Sequence, residues 1–328
     1  MPTLNLISRD NGVGLTRDLR LLAGALRDAG FDVHVTPIRG GKLRKWFGPT
    51  VRRANTLWRR LHGGGSLYDA NLMLERIRPE YLPHAHRNFL VPNPEWFPPA
   101  EVPLLERIDA VLTKTTHAGE IFGALGCRIA PIGFTSEDRY DPAVPRERSF
   151  FHLAGRSGNK GTQPLIELWR RHPEWPRLTV LQHPSTAQPI EAADNIEQRL
   201  DYISDAELRR LQNANAFHLC PSETEGFGHY LIEAMSVGAV TLTTDAPPMN
   251  ELVTPNRGVL VAVGRTGRQQ LATTYHFDAA AMEAAVERAL AMSQAEREDL
   301  GANARDWFLR NDREFSARLQ QALVPLLA

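Results

Sequence analysis

Two glutamates flanking a glycine-rich turn are the residues in this chain best suited to chemistry. The segment Pro221 to Gly238 reads PSETEGFGHYLIEAMSVG, with Glu225 before Gly226-Phe227-Gly228 and Glu233 in the helical stretch that follows. Glycines let a ligand approach the backbone closely. The free N–H groups at a helix start, here near Gly228, His229 and Tyr230, favour an anion, and a phosphate is the anion expected. The two carboxylates are then left to accept hydrogen bonds from sugar or ribose hydroxyls. The alternative is that both glutamates lie on a solvated helix start. A second loop, AGRSGNKGT, carries Arg156 and Lys160. An arginine forks onto two phosphate oxygens and a lysine adds a compact charge, although a basic, glycine-rich loop taken alone is often just a solvated turn.

Pro221, Ser222, Glu225, Gly226, Phe227, Gly228, Glu233, Ala234, Met235 and Gly238 match in register the Glu-x7-Glu segment of the retaining glycosyltransferases of the GT-B fold. The stretch resembles glycosyltransferase family 4 in particular. The loop with Arg156 and Lys160 resembles that family's Gly-Arg…Lys-Gly frame, which grips the donor diphosphate. The resemblance implies retaining transfer of a sugar from a nucleotide-diphosphate sugar, a UDP- or GDP-sugar, to an acceptor hydroxyl. It implies that Glu225, Arg156 and Lys160 form the catalytic set. Glu225 then holds the donor sugar's hydroxyls and Glu233 the ribose, with Ser222, Gly226, Phe227, Gly228, His229 and Tyr230 in the same donor-binding segment. Backbone around Tyr202 and Ile203 is implied to line the nucleobase pocket. Asp201-Tyr202 stands where the family usually has a glycine, and Tyr202 serves equally well as a packing residue. The N-terminal turn Asn11-Gly12-Val13-Gly14 is implied to close over the donor, bringing Gly12 and Gly14 to the phosphates and sugar. As a Gly-x-Gly-x-x-Gly fingerprint it fails, because Arg17 occupies the third glycine position, so a dinucleotide is disfavoured. No cofactor and no metal are expected: the chain has no Asp-x-Asp pair and no clustered His/Cys site of zinc type.

The elements that must position these residues read as α/β. LNLIS, a glycine turn, Leu19, Leu22, Ala23 and Leu26 at helical spacing, Gly30 and then FDVHV make one βαβ unit with parallel strands. Apolar runs follow at NFLV, DAVLT and RIAPIG. The charged stretch Asp138 to Arg148 reads as an interdomain linker. Beyond it come SFFHLAG, LTVLQH, AFHLCPS, AVTLTT and GVLVAV, with helical stretches between several of them. The expected organisation is an N-terminal acceptor-side Rossmann-like domain over 1–145 and a C-terminal donor-binding Rossmann-like domain over 146–310. A helix over 311–328, striped by Leu319, Leu323 and Leu326, packs back on the first domain. This is the GT-B architecture, two doubly wound parallel sheets facing across a cleft, with ligands at the carboxyl ends of the strands. Gly264 to His276 is longer than the family's usual connection and reads as a surface loop without an assigned role.

With 328 residues, 38 Lys+Arg, 38 Asp+Glu and a hydrophobic fraction of 42%, the composition is that of a soluble globular protein of about two domains. Cys127 and Cys220 lie in apolar stretches and are expected to be buried thiols in a reducing compartment. No leader and no membrane-spanning run is evident, so a cytoplasmic location is expected. Arg39 to Tyr68 holds basic residues through Arg60, interleaved with Trp46, Phe47 and Trp58, and lacks acidic residues until Asp69. Such a stretch suits peripheral contact with the inner membrane face, an anionic or lipid-linked acceptor, or simply an exposed helix. Nucleic acid is disfavoured by the neutral charge. By position after first-domain strands, Asn93, Glu95, Lys114 and His117 are candidates for the acceptor side. The rival functions are a nucleotide-sugar epimerase or phosphorylase, and a non-catalytic sugar-nucleotide or membrane-binding module.

Overall fold

Short apolar runs bounded by glycine, proline and polar residues form the strands, and two parallel sheets result. The computed structural model describes residues 1–9, 14–38, 66–189, 191 and 193–328. Gly12 with its neighbours Asn11 and Val13, and the basic segment Arg39 to Arg60, lie outside the described residues. The chain divides into two compact units, Met1–Phe134 with Arg313–Ala328, and Thr135–Asp312.

In the first unit, strands β1 (Thr3–Arg9), β2 (Asp32–Ile38), β3 (Tyr68–Leu74), β4 (Ala85–Val91), β5 (Ala110–Thr113) and β6 (Ile129–Pro131) form a sheet in the order β2-β1-β3-β4-β5-β6. Its strands pair in parallel, with Leu4 of β1 opposite Val33 on one side and Ala70 on the other. Helix α1 (Gly14–Asp28) buries Leu15, Leu22, Ala23 and Leu26, and Gly30, at a φ of 87°, turns the chain into β2. Strand β3 was not expected, because YDANLML mixes polar residues into the apolar run. The structure explains them. Asn71 is fully buried, accepts from Asn5 Nδ2 of β1 at 2.9 Å and donates to Asn88 Oδ1 of β4 at 2.8 Å. Three strands thus share one satisfied amide ladder, which makes buried asparagine tolerable. Helix α2 (Thr116–Ala124) is capped by Thr115, whose hydroxyl accepts from Ala118 N. From the terminal helix, Phe315, Leu319, Leu323 and Leu326 are all buried, and the Phe315 ring lies 5.1 Å from that of Phe134.

In the second unit the sheet order is β12-β11-β10-β7-β8-β9, built from β7 (Glu147–Gly155), β8 (Leu178–Gln182), β9 (Ile196–Arg199), β10 (Asn215–Cys220), β11 (Val240–Thr244) and β12 (Val259–Val261). Helices α3 (Thr162–Arg170), α4 (Asp205–Ala214), α5 (His229–Ser236), α6 (Met249–Leu252), α7 (Ala279–Ala291) and the start of α8 (Gln294–Leu327) complete it. Phe150 anchors the core, stacked on Phe217 at 4.7 Å and edge-on to Trp169 at 4.8 Å. Cys220 is buried as expected, whereas Cys127 is only half-buried.

Two further expectations are corrected. The stretch 138–148 is no free linker. Arg139, 4% exposed, donates to Gln212 Oε1 at 2.9 Å and Asp205 Oδ1 at 2.8 Å, and Arg146 donates to Gly238 O at 2.7 Å. The guanidinium groups of Arg139 and Arg146, which suggested a solvated connector, are taken up by partners distant in sequence. Gly264 to His276 is not an irregular loop either. It forms an antiparallel hairpin of β13 (Val263–Gln269) and β14 (Ala272–Phe277), turning at Gln270 with a φ of 52°. Thr266, Thr273, Thr274 and Tyr275 supply strand propensity that the glycines and arginines masked.

Two buried histidines give the second unit a pH dependence. His152 donates from Nδ1 to Leu219 O at 2.7 Å, so Nε2, 2.9 Å from Thr162 Oγ1, is the acceptor of a neutral ring. Burial lowers the His152 pKa to about 4 and that of His218 to about 3. Both values lie below the unfolded value near 6.5, so the unfolded chain binds more protons under mildly acidic conditions. Stability is therefore expected to be full above about pH 6.5 and to fall by several kcal/mol as the pH drops towards 4. His152→Asn, which keeps a donor for Leu219 O, should flatten part of that slope in unfolding titrations. An unchanged slope would mean that His152 titrates in the fold as it does in water.

Candidate functional site

β7 and β10 are neighbours in the second sheet, paired in parallel with Phe150 opposite Phe217, so their carboxyl ends emerge side by side. From β7 the chain enters the Arg156–Lys160 loop, and from β10 it enters Pro221-Ser222. The two loops touch. Asn159 O accepts from Glu223 N at 2.9 Å, and a Cβ at Gly161 (φ 61°) would stand 2.8 Å from Pro221 O. Only glycine fits there.

This contact brings together Lys160, Ser222, Glu225 and Tyr230. Lys160 Nζ is ion-paired with Glu225 Oε1, lies 3.4 Å from Ser222 Oγ and sits 3.8 Å from the Tyr230 ring centroid. The Ser222 hydroxyl donates to Glu225 Oε1 and also hydrogen-bonds the Tyr230 hydroxyl. Thr244 Oγ1 in turn donates to Ser222 O at 2.9 Å, fixing the loop to β11. Burial pushes the Tyr230 hydroxyl well above its ordinary pKa, so it remains protonated. Lys160 and Glu225 each keep 12% of their side-chain surface exposed, and Arg156 is exposed on the same loop.

Helix α5 begins at Gly228, whose φ of 97° and whose absent Cβ, which would meet Leu231 Cδ1 at 2.7 Å, demand glycine. The first intrahelical bonds run from Leu231 N and Ile232 N to Gly228 O. Gly226 and Phe227 are buried just before this turn, and His229 Nδ1 lies 3.1 Å from Ser136 Oγ. Glu233 occupies a different environment from Glu225. It is 1% exposed and accepts from Gln212 Nε2 at 2.7 Å, and Gln212 in turn accepts from Arg139 Nε. Gln212 and Arg139 escaped sequence reasoning because both partners are remote along the chain and neither belongs to a motif. Tyr202 is 98% exposed, which overturns its reading as a packing residue. Ser204 caps α4 two residues later, and that turn leaves the Tyr202 ring outside. Ile203 does pack, against the small cluster of Phe151, Leu181 and Leu211.

In the first unit, the ends of β4 and β5 bring Asn93 and Lys114 together. Lys114 donates to Asn93 Oδ1 at 3.0 Å, is ion-paired with Asp18 of α1, and lies 4.8 Å from the Phe134 ring centroid. Lys114 and Asp18 are both buried, as is Glu95 in the short turn Pro94–Trp96. His117 lies in the first turn of α2, with its Nδ1 3.9 Å from Glu120 Oε2. Gly14 is the exposed first residue of α1. Asp18 and Glu75 join this region and were not foreseen. Glu75, at the end of β3, has a φ of 65°, and burial raises its carboxyl pKa. Among the described residues, no group of three or more His, Cys, Asp or Glu could hold a metal ion, and no helix is long and apolar enough to cross a membrane.

Residues 195–307 match the family model of glycosyl transferases group 1. A stretch of 127 residues is 30% identical to GDP-mannose:cellobiosyl-diphosphopolyprenol alpha-mannosyltransferase of Xanthomonas campestris, spanning 35% of this chain and only 33% of that relative. Among solved structures, the sucrose-phosphate synthase of Thermosynechococcus elongatus superposes with a TM-score of 0.71 at 17% identity, over 99% of both chains. Anabaena HepE in complex with UDP and glucose gives 0.67 at 13% identity, over 98% of this chain and 99% of the other. The chain thus has the GT-B fold, with the group 1 glycosyl transferase match lying in its second unit.

Proposed function

We propose that this protein is a retaining glycosyltransferase of the family 4 type, moving a sugar from a nucleotide-diphosphate sugar to an acceptor hydroxyl. The observation that carries the reading is the Lys160–Glu225–Ser222–Tyr230 cluster, set beside the glycine-started helix α5. In this scheme the diphosphate leaves as Arg156, Lys160 and the N–H groups at the start of α5 meet its growing charge. Lys160 exchanges Glu225 for a phosphate oxygen, which frees the carboxylate to accept hydrogen bonds from the donor sugar. The acceptor hydroxyl attacks from the face the diphosphate leaves, and the departing phosphate oxygen takes its proton. No metal is invoked, because Arg156 and Lys160 of the loop after β7, with the N–H groups at the start of α5, supply the counter-charge. Glu233 serves the ribose, and Ile203 the edge of the base pocket.

The named donor of the Xanthomonas relative favours a GDP-sugar, the UDP held by HepE favours a UDP-sugar, and both belong in the test. The lipid-diphosphate acceptor in that relative's name supports an anionic or lipid-linked acceptor here, reached in the cytoplasm or at the inner membrane face. Thermal unfolding with UDP, GDP, ADP, dTDP and NAD separates the readings. A nucleoside diphosphate at 100 times its dissociation constant should add roughly 2.7 kcal/mol to stability. A shift with NAD alone would overturn the proposal.

A further inference from the structure

The β13–β14 hairpin contributes little to the core. Residues 264–268 are exposed, and Ala272 and Thr274 are its buried positions. Its polar contacts run instead to the two loops of the site. Asn159 Nδ2, beside Lys160, donates to Gln269 Oε1 at 2.7 Å. Tyr275 N donates to Glu223 O at 2.7 Å, and His276 Nδ1 lies 3.1 Å from Glu223 Oε1. Phe277 closes the edge, since a Cβ on Gly161 would come within 3.1 Å of its ring. One hairpin therefore holds the loop of Lys160 and the loop of Ser222 and Glu225, and those loops hold each other through Asn159 O and Glu223 N.

From this we infer that the hairpin is a built-in clamp that presets both loops for a diphosphate, with Gln269 and His276 as positioning residues. The inference rests on the donor assignment proposed above. A loop ordered before its ligand arrives does not lose that freedom on binding, so the clamp acts on donor affinity ahead of turnover. Gln269 acts through Asn159 and His276 through Glu223, so each sets backbone that carries the phosphate-gripping and sugar-positioning side chains.

The test compares Gln269→Ala, which removes the acceptor for Asn159 Nδ2, with Gln269→Glu, which keeps one. Calorimetric titration with UDP and with GDP should show the nucleotide bound by the wild type held about fivefold to tenfold more weakly by Gln269→Ala. In turnover, the donor KM should rise by a similar factor while kcat changes less than about twofold. Amide hydrogen exchange across 156–161 and 222–226 should quicken in Gln269→Ala and return to the wild-type pattern in Gln269→Glu, with melting temperature little altered in either. If the wild type binds a nucleotide and Gln269→Ala binds it equally, with unchanged exchange, the clamp is overturned and the donor assignment stands. If the wild type binds neither nucleotide, the donor assignment itself falls and the clamp's proposed purpose falls with it.

Discussion

Glu225→Ala should cut sugar transfer by about 10²-fold or more while leaving nucleoside diphosphate affinity within a few-fold of wild type. The proposed scheme gives Glu225 hydrogen bonds to the donor sugar that tighten as positive charge develops on it, so the loss falls on kcat. Arg156, Lys160 and the start of α5 remain to hold the diphosphate. The substitution also strips Lys160 of its ion-pair partner, leaving Ser222 Oγ at 3.4 Å and the Tyr230 ring at 3.8 Å. Glu225→Gln controls for that loss of shape, since it keeps volume and a hydrogen-bond acceptor while removing the charge. Initial-rate kinetics with a candidate donor, alongside calorimetry with its nucleotide, provide the check. Near-normal transfer by Glu225→Ala would remove this residue from the reaction.

Lys160→Met should act on the other half of the site, weakening nucleoside diphosphate binding by about 10- to 100-fold through loss of a charge-assisted hydrogen bond. The methionine retains contact with the Tyr230 ring but leaves the Glu225 carboxylate, 12% exposed, without its counter-charge. Some loss of stability is expected as well, since an unpaired, largely buried carboxylate is unfavourable. Lys160→Arg should not restore affinity, because a planar guanidinium does not fit the point-charge position between the Ser222 hydroxyl, the Glu225 carboxylate and the Tyr230 ring. Unchanged nucleotide affinity in Lys160→Met would shift the diphosphate-binding role to Arg156 or move the donor site elsewhere.

Local order along the chain made much of the second unit legible. Periodicity marked β7, β10 and α5, and the turn chemistry of Gly226 to Gly228 placed a helix start directly after Glu225. Those features depend on neighbours a few residues apart, and a sequence displays such spacing openly. The buried stripe of Leu319, Leu323 and Leu326 was legible for the same reason. Strand β3 was hidden because Asn71 looks polar until Asn5 and Asn88 are placed on either side of it.

Residue types and spacings along the chain determined an α/β protein and singled out Glu225, Arg156 and Lys160 as its leading candidates for chemistry. Only the tertiary structure decided that Lys160 and Glu225 form an ion pair against Tyr230, since the adjacency of β7 and β10 closes a 65-residue separation. It alone set Glu225 partly open and Glu233 buried on Gln212, although the two glutamates stand only eight residues apart in the chain. It alone turned Gly264 to His276 into a hairpin gripping both loops. The physical reason is common to all three. Burial, ion pairing and side-chain hydrogen bonding depend on which strand ends the sheet order brings together, and that order follows from the packing of the whole unit.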